Sequence, residues 1–173
     1  MISDFVKGRR RYDYPLPIQK GIALHRSIDN FTDQHEAVRE AKEIFRPQYR
    51  LYSGPIVDIV FDHFLATDPI EFPGDQLFSF SQWAYRELEG QQEWFPEKFR
   101  MLFPYMKKHN WLWNYRLREG ISNSLAGLVR RSLYMDSSAE AFVLFETHYQ
   151  PLQELFRPFW DSLKAYARKE FNG

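Results

Sequence analysis

Residues 56–65 of the chain read Ile56-Val57-Asp58-Ile59-Val60-Phe61-Asp62-His63-Phe64-Leu65. Wound as an α-helix, the seven large apolar residues of this run cover most of the circumference. Asp58 and Asp62, one turn apart, share the strip that remains. Like charges at that spacing destabilise a helix even in water, and burial adds to the cost. Either the strip faces solvent, or something compensates it: a carboxyl that keeps its proton, an arginine paired with both, or a bound metal ion. His63 lies one step round from Asp62, where it can serve as a ligand, a partner of a ligand or a phosphate contact.

The pattern recurs upstream. Ile18, Ile22, His25 and Asp29 share one face of a helix that Pro15 and Pro17 open and that is expected to reach about Phe31. His25 and Asp29, at i and i+4, either bond each other or grip one ion. Charges set among isoleucines are expensive, and a divalent cation is the most economical compensation. Asp4 supplies another carboxylate just ahead of this helix, although alone it reads as an ordinary cap or exposed residue. Arg26 flanks the His25–Asp29 face, as a phosphate contact or as a solvated helix arginine. Lys7, Arg9, Arg10 and Arg11 form a basic run directly after Asp4.

Outward from these helices the chain keeps 3–4 spacing and holds only 8 glycines, which points to an all-α domain over 1–173, a bundle of about seven or eight helices. Asp33 with Glu36 predicts a capping-box start for a helix ending near Phe45. Gly54-Pro55 opens the next helix, which stops near Thr67. A loop over 69–75 precedes predicted helices at about 76–90, 96–107, 109–118 and 121–133. After a turn at Asp136, a C-terminal stretch carries the stripe Phe142, Phe145, Tyr149, Leu152, Phe156 and Phe159, with Pro151 and Pro158 expected to kink or divide it. Gly127 is expected to permit close helix packing, Trp111 and Trp113 to pack inside, and His35 and His109 to lie at the surface. His148 is expected to be packed and hydrogen-bonded, and Arg130 and Arg131 to offer a second contact surface.

Composition bounds the function. There is no cysteine, which excludes thiol catalysis, zinc–thiolate sites and disulfides within this chain. The 44% hydrophobic and 18% aromatic content suffices for a core without them. No apolar run is long enough to span a membrane, and the N-terminus lacks the order of a secretory signal, so the expected compartment is the cytoplasm. The 23 basic and 23 acidic side chains balance, which argues against general nucleic-acid binding.

The ordered set Ser3-Asp4-Phe5-Val6-Lys7-Gly8, Gly21-Ile-Ala-Leu-His25-Arg26-Ser-Ile-Asp29, Phe31-Thr32-Asp33 and Asp58-Ile-Val-Phe-Asp62-His63-Phe64-Leu65 resembles the acyl carrier protein phosphodiesterase family. Trp111-Leu-Trp-Asn-Tyr115, Gly120-Ile121, Leu125-Ala-Gly-Leu-Val-Arg130 and His148-Tyr149 extend the likeness over nearly the whole chain. The resemblance implies an all-helical enzyme, distantly similar to HD-type metal-dependent phosphohydrolases, that removes the 4′-phosphopantetheine arm from holo acyl carrier protein. It implies manganese, and it carries over Asp4, His25, Asp29, Asp62 and His63, with Asp58 beside them. Members of that family usually carry a further helix with an Asn-Phe-Leu-Ala-His-like segment ahead of the position matched by Met1. The expectation is therefore a start assigned too far downstream or an incomplete site.

Asp4, His25, Asp29, Asp58 and Asp62 are thus the expected metal ligands, a mixed shell suited to Mn²⁺, Fe²⁺ or Mg²⁺. His63 is expected to protonate the leaving serine oxygen, and Arg26 to neutralise a phosphate oxygen. Lys7, Arg9, Arg10 and Arg11 are expected either to hold the acidic carrier protein or to form a disordered lead. The competing readings are a phosphohydrolase of another substrate, such as a nucleotide, and a non-catalytic module that only binds carrier protein.

Overall fold

A computed structural model describes residues 2–172. Helix α1 (Leu16–Gln34) follows two 3-10 turns at Ile2–Phe5 and Gly8–Asp13. Then come α2 (Glu36–Tyr49), α3 (Ser53–Thr67), α4 (Gln76–Glu89), α5 (Glu97–Lys108), the short α6 (Trp111–Asn114), α7 (Arg118–Arg131), α8 (Ala139–Thr147) and α9 (Tyr149–Asn172). Among the described residues there is no strand, and the helices number nine, against the seven or eight expected.

The apolar circumference of α3 makes it the centre. Ile56, Val57, Ile59, Val60, Phe61 and Phe64 are all buried, against Val38, Ala41 and Phe45 of α2, Ile121 and Leu125 of α7, and Phe156 and Phe159 of α9. Burying each such side chain stabilises the fold by about 1.5–3 kcal/mol relative to leaving it in water. A second, aromatic cluster joins Tyr85 of α4 to Phe95, Phe99, Phe103 and Met106 around α5. Phe5 packs on it, with ring centroids 5.7 Å from Phe99. The Val6 carbonyl accepts a 2.6 Å hydrogen bond from Arg26. The first turn is thereby pinned against α1, which fixes the place of Asp4.

Several boundaries differ from the sequence expectation. Helix α1 runs past Phe31 to Gln34, so Thr32 and Asp33 are helical and Asp33 caps nothing. The cap of α2 is His35, whose Nδ1 accepts from the Ala37 N–H at 3.2 Å, and whose half-buried ring packs on Phe31 and Phe159. Helix α2 continues through Pro47 to Tyr49. The expected helix over 109–118 shrinks to one turn, because Asn110 takes a left-handed φ of 41° that breaks it from α5. Gly120 is required where α7 begins: a Cβ there would collide with the Asn114 carbonyl oxygen. Gly127 has only the Arg130 guanidinium near it and serves no close helix packing. The break between α8 and α9 falls at His148, so Pro151 sits harmlessly in a first turn, while Pro158 lies inside α9.

Candidate active site

A cavity of about 590 Å³ opens between α1, α3 and α9. One side is acidic, lined by Asp4, His25, Asp29, Asp33, Asp58 and Asp62; the other is apolar, built by Phe61, Leu65, Phe156, Phe159, Trp160 and Leu163. Its acidic side exists because two helical rows face each other. His25, Asp29 and Asp33 follow one another at four-residue spacing along α1, and Asp58 and Asp62 do the same along α3.

His25, Asp29 and Asp4 form the tight part. Nδ1 of His25 lies 2.9 Å from Oδ2 of Asp29, while Nε2 lies 3.7 Å from Oδ1 of Asp4. One ligand atom from each of the three falls within 4.8 Å of the others, a spacing that suits three donors around one cation. The Asp29 bond fixes the imidazole with Nδ1 engaged and Nε2 turned to Asp4, the arrangement that orients metal-bound histidines. The pair does not face inward as expected: His25 is half-buried and Asp29 exposed, at the border of the cavity.

Asp58 and Asp62 stand outside that trio but line the same cavity. Both side chains are exposed at the cavity mouth, so the strip faces solvent, as one of the expected alternatives had it. The protein packed around them still displaces enough water to disfavour their charged forms. Burial first, then the carboxylates of Asp33, Asp29 and Asp4, lift Asp58 to about 6 against the pull of Lys42. Burial and the neighbouring Asp58 lift Asp62 to about 7, opposed by a hydrogen bond from the Tyr115 hydroxyl. Lys42 pairs with Asp33 at 2.8 Å, and Asp58 takes only its longer-range field. A cation bound in this acidic row would favour the charged forms of both carboxyls.

Two expectations are corrected. His63 does not reach the cavity: it is buried in the core, with Nδ1 bonded to the Tyr115 carbonyl at 2.8 Å and Nε2 to the Tyr149 hydroxyl at 3.1 Å. Burial lowers its pKa, and the nearby Arg118 adds to that, so the ring is neutral with both nitrogens engaged and has no proton to deliver to a leaving group. Arg26 spends its guanidinium on the carbonyls of Val6 and, at 3.5 Å, Gly8, and holds the lead segment instead of a phosphate. The basic run is ordered on the 3-10 turn Gly8–Asp13, with Lys7, Arg9 and Arg10 exposed. Arg11 lies over the Tyr12 ring and bonds its hydroxyl at 2.7 Å.

Residues the sequence did not flag complete the site. Asp33 and Thr32 were hidden by the expected early end of α1, although the continuing four-residue row from His25 through Asp29 marks Asp33. Tyr115 holds Asp62 from another element, which no local spacing reveals. Phe156 and Phe159 of the apolar wall read as core in sequence, because they belong to the same stripe as buried Phe145 and Leu152; Trp160 and Leu163 lie outside that stripe.

A family model described as acyl carrier protein phosphodiesterase matches residues 1–163. A protein of that name from Yersinia pestis is 32% identical over 169 residues, covering 97% of this chain and 88% of its own length. One from Klebsiella pneumoniae is 32% identical over 171 residues, covering 98% and 89%, and one from Salmonella paratyphi A is 31% identical over the same shares. No solved structure matches.

Proposed function

Because the chain belongs to the acyl carrier protein phosphodiesterase family, we propose that it hydrolyses the phosphodiester joining 4′-phosphopantetheine to the serine of holo acyl carrier protein, in the cytoplasm. The observation that carries the reading is the acidic side of the cavity, where Asp33, Asp58 and Asp62 adjoin Asp4, His25 and Asp29, the last three with one ligand atom each within 4.8 Å of the others. Without a counter-charge a phosphodiester would be repelled from such a surface. The donor set of oxygen and imidazole nitrogen suits a hard-to-borderline divalent ion such as Mn²⁺, Fe²⁺ or Mg²⁺, and manganese is the one the family resemblance implies. Asp4 and His25 would hold it, with Asp58 and Asp62 available from α3 and Asp29 orienting the imidazole.

A divalent cation there supplies polarisation of a phosphoryl oxygen and makes water easier to deprotonate. The protein's own groups do the rest. The Asp29 bond keeps His25 Nε2 aimed at Asp4, and Lys42 restrains Asp33 at the edge of the cavity. The Tyr115 hydroxyl favours the charged form of Asp62. The apolar wall opposite excludes water from one side of the bound ester.

Incubating holo carrier protein with the enzyme and Mn²⁺, then weighing the carrier by mass spectrometry, tests the reading. Loss of the phosphopantetheine mass, abolished by chelator, is the expected result. Retention of the arm with a full complement of bound metal would overturn it.

A further inference from the structure

We infer that the apolar wall of the cavity, Leu65 with Phe156, Phe159, Trp160 and Leu163, is the subsite that takes the pantetheine arm of the substrate. The inference rests on the activity proposed above and assigns it a second recognition element. A cavity of about 590 Å³ far exceeds what one cation and a phosphoryl group fill, and falls within the roughly 300–1,000 Å³ of small-molecule sites. Phe156 and Phe159 are buried at the base of the wall, while Leu65, Trp160 and Leu163 keep part of their surface open.

Continuity selects the occupant. A diester whose phosphorus lies at the acidic side must lay its remaining atoms along what adjoins it, and the wall is part of the same cavity. Charge selects further. Beyond its phosphate the arm is uncharged, and the two methyl groups on one carbon give it an apolar face that suits these side chains, while its amides and hydroxyl can keep to the open mouth. A nucleotide would bring additional phosphates against Asp33, Asp58 and Asp62. A second cavity, about 280 Å³ and lined by Ile18, Ile22, Leu88, Trp94 and Phe95, shares His25 but none of the carboxylates.

Leu163→Trp would fill the open part of the wall. Its kcat/KM for holo carrier protein, divided by its association constant for Mn²⁺, should fall about tenfold relative to wild type, with Leu163→Met preserving the ratio. Saturation-transfer NMR on the wild-type protein gives an independent reading, using pantetheine itself as the probe. Transfer to its paired methyl groups, lost in Leu163→Trp, is expected. Absent transfer in the wild type, or an unmoved ratio, overturns the subsite. If the wild type releases no arm yet still saturates those methyls, the proposed activity fails and the subsite stands. A dimer that Leu163→Trp splits into monomers would mark the wall as a contact between copies and overturn the inference.

Discussion

The cavity is faced by two ionisable pairs of identical spacing and opposite character. On α1, His25 and Asp29 complement each other and close a 2.9 Å bond within their own helix. On α3, Asp58 and Asp62 repel each other, and their pKa values rise to about 6 and about 7. A complementary i, i+4 pair is stable by itself and announces nothing. A frustrated pair carries a standing cost, which a cation bound beside it would relieve.

Removing the frustrated pair should have the largest effect. Asp58→Asn combined with Asp62→Asn is expected to weaken Mn²⁺ binding by more than about a hundredfold, read by electron paramagnetic resonance of the free ion. Undiminished binding would mean that α1 and Asp4 suffice and that the contrast has no functional content. Asp29→Asn removes the partner of His25 while leaving its ring in place. A loss of about 10–100-fold in metal affinity or turnover is expected, the usual effect of an orienting carboxylate.

The pH dependence of stability sharpens the comparison. Both α3 carboxyls hold their protons more tightly in the folded chain than at their ordinary value of 3.8. Folding is therefore favoured by them below about pH 4, and that contribution is lost as pH rises to about 7. His63, whose pKa is lowered, acts in the opposite direction, so the wild type must be compared with Asp58→Asn/Asp62→Asn in chelator. The difference in Tm, wild type minus variant, should fall between about pH 4 and about pH 7 and then level off. A flat difference would show that the pair is not strained. Added Mn²⁺ should raise the wild-type Tm more at about pH 8 than at about pH 5.

The smallest expected effect lies outside both pairs. Arg10→Glu with Arg11→Glu should raise KM for the acidic carrier protein severalfold at low salt, with the effect fading as salt is added. Equal KM values at low salt would remove the basic turn from substrate docking.

Sequence revealed the pairs but not their depth. The apolar circumference of α3 was legible because Ile, Val and Phe at 3–4 spacing admit few other structures, and the acidic strip followed by subtraction. What stayed hidden was tertiary. A histidine beside an aspartate looks equally fit for chemistry or packing, and only the Tyr115 carbonyl and Tyr149 hydroxyl place His63 in the core. Arg26 likewise meets carbonyls from a segment twenty residues upstream, as its bond to Val6 shows. Asp33 was masked by a local signal, Asp33 with Glu36, that imitates a cap while His35 does the capping.

Tyr115 is gripped at both ends by consecutive residues, its hydroxyl by Asp62 and its carbonyl by His63. One neighbour answers to the solvent-filled side of α3 and the other to the dry side. The tyrosine consequently behaves as a rivet through the helix: the segment following α6 cannot slide without dragging an acidic group out of register. Variation in that segment, remote in sequence from the carboxylates of the cavity, should tune catalysis as readily as variation on α1 and α3.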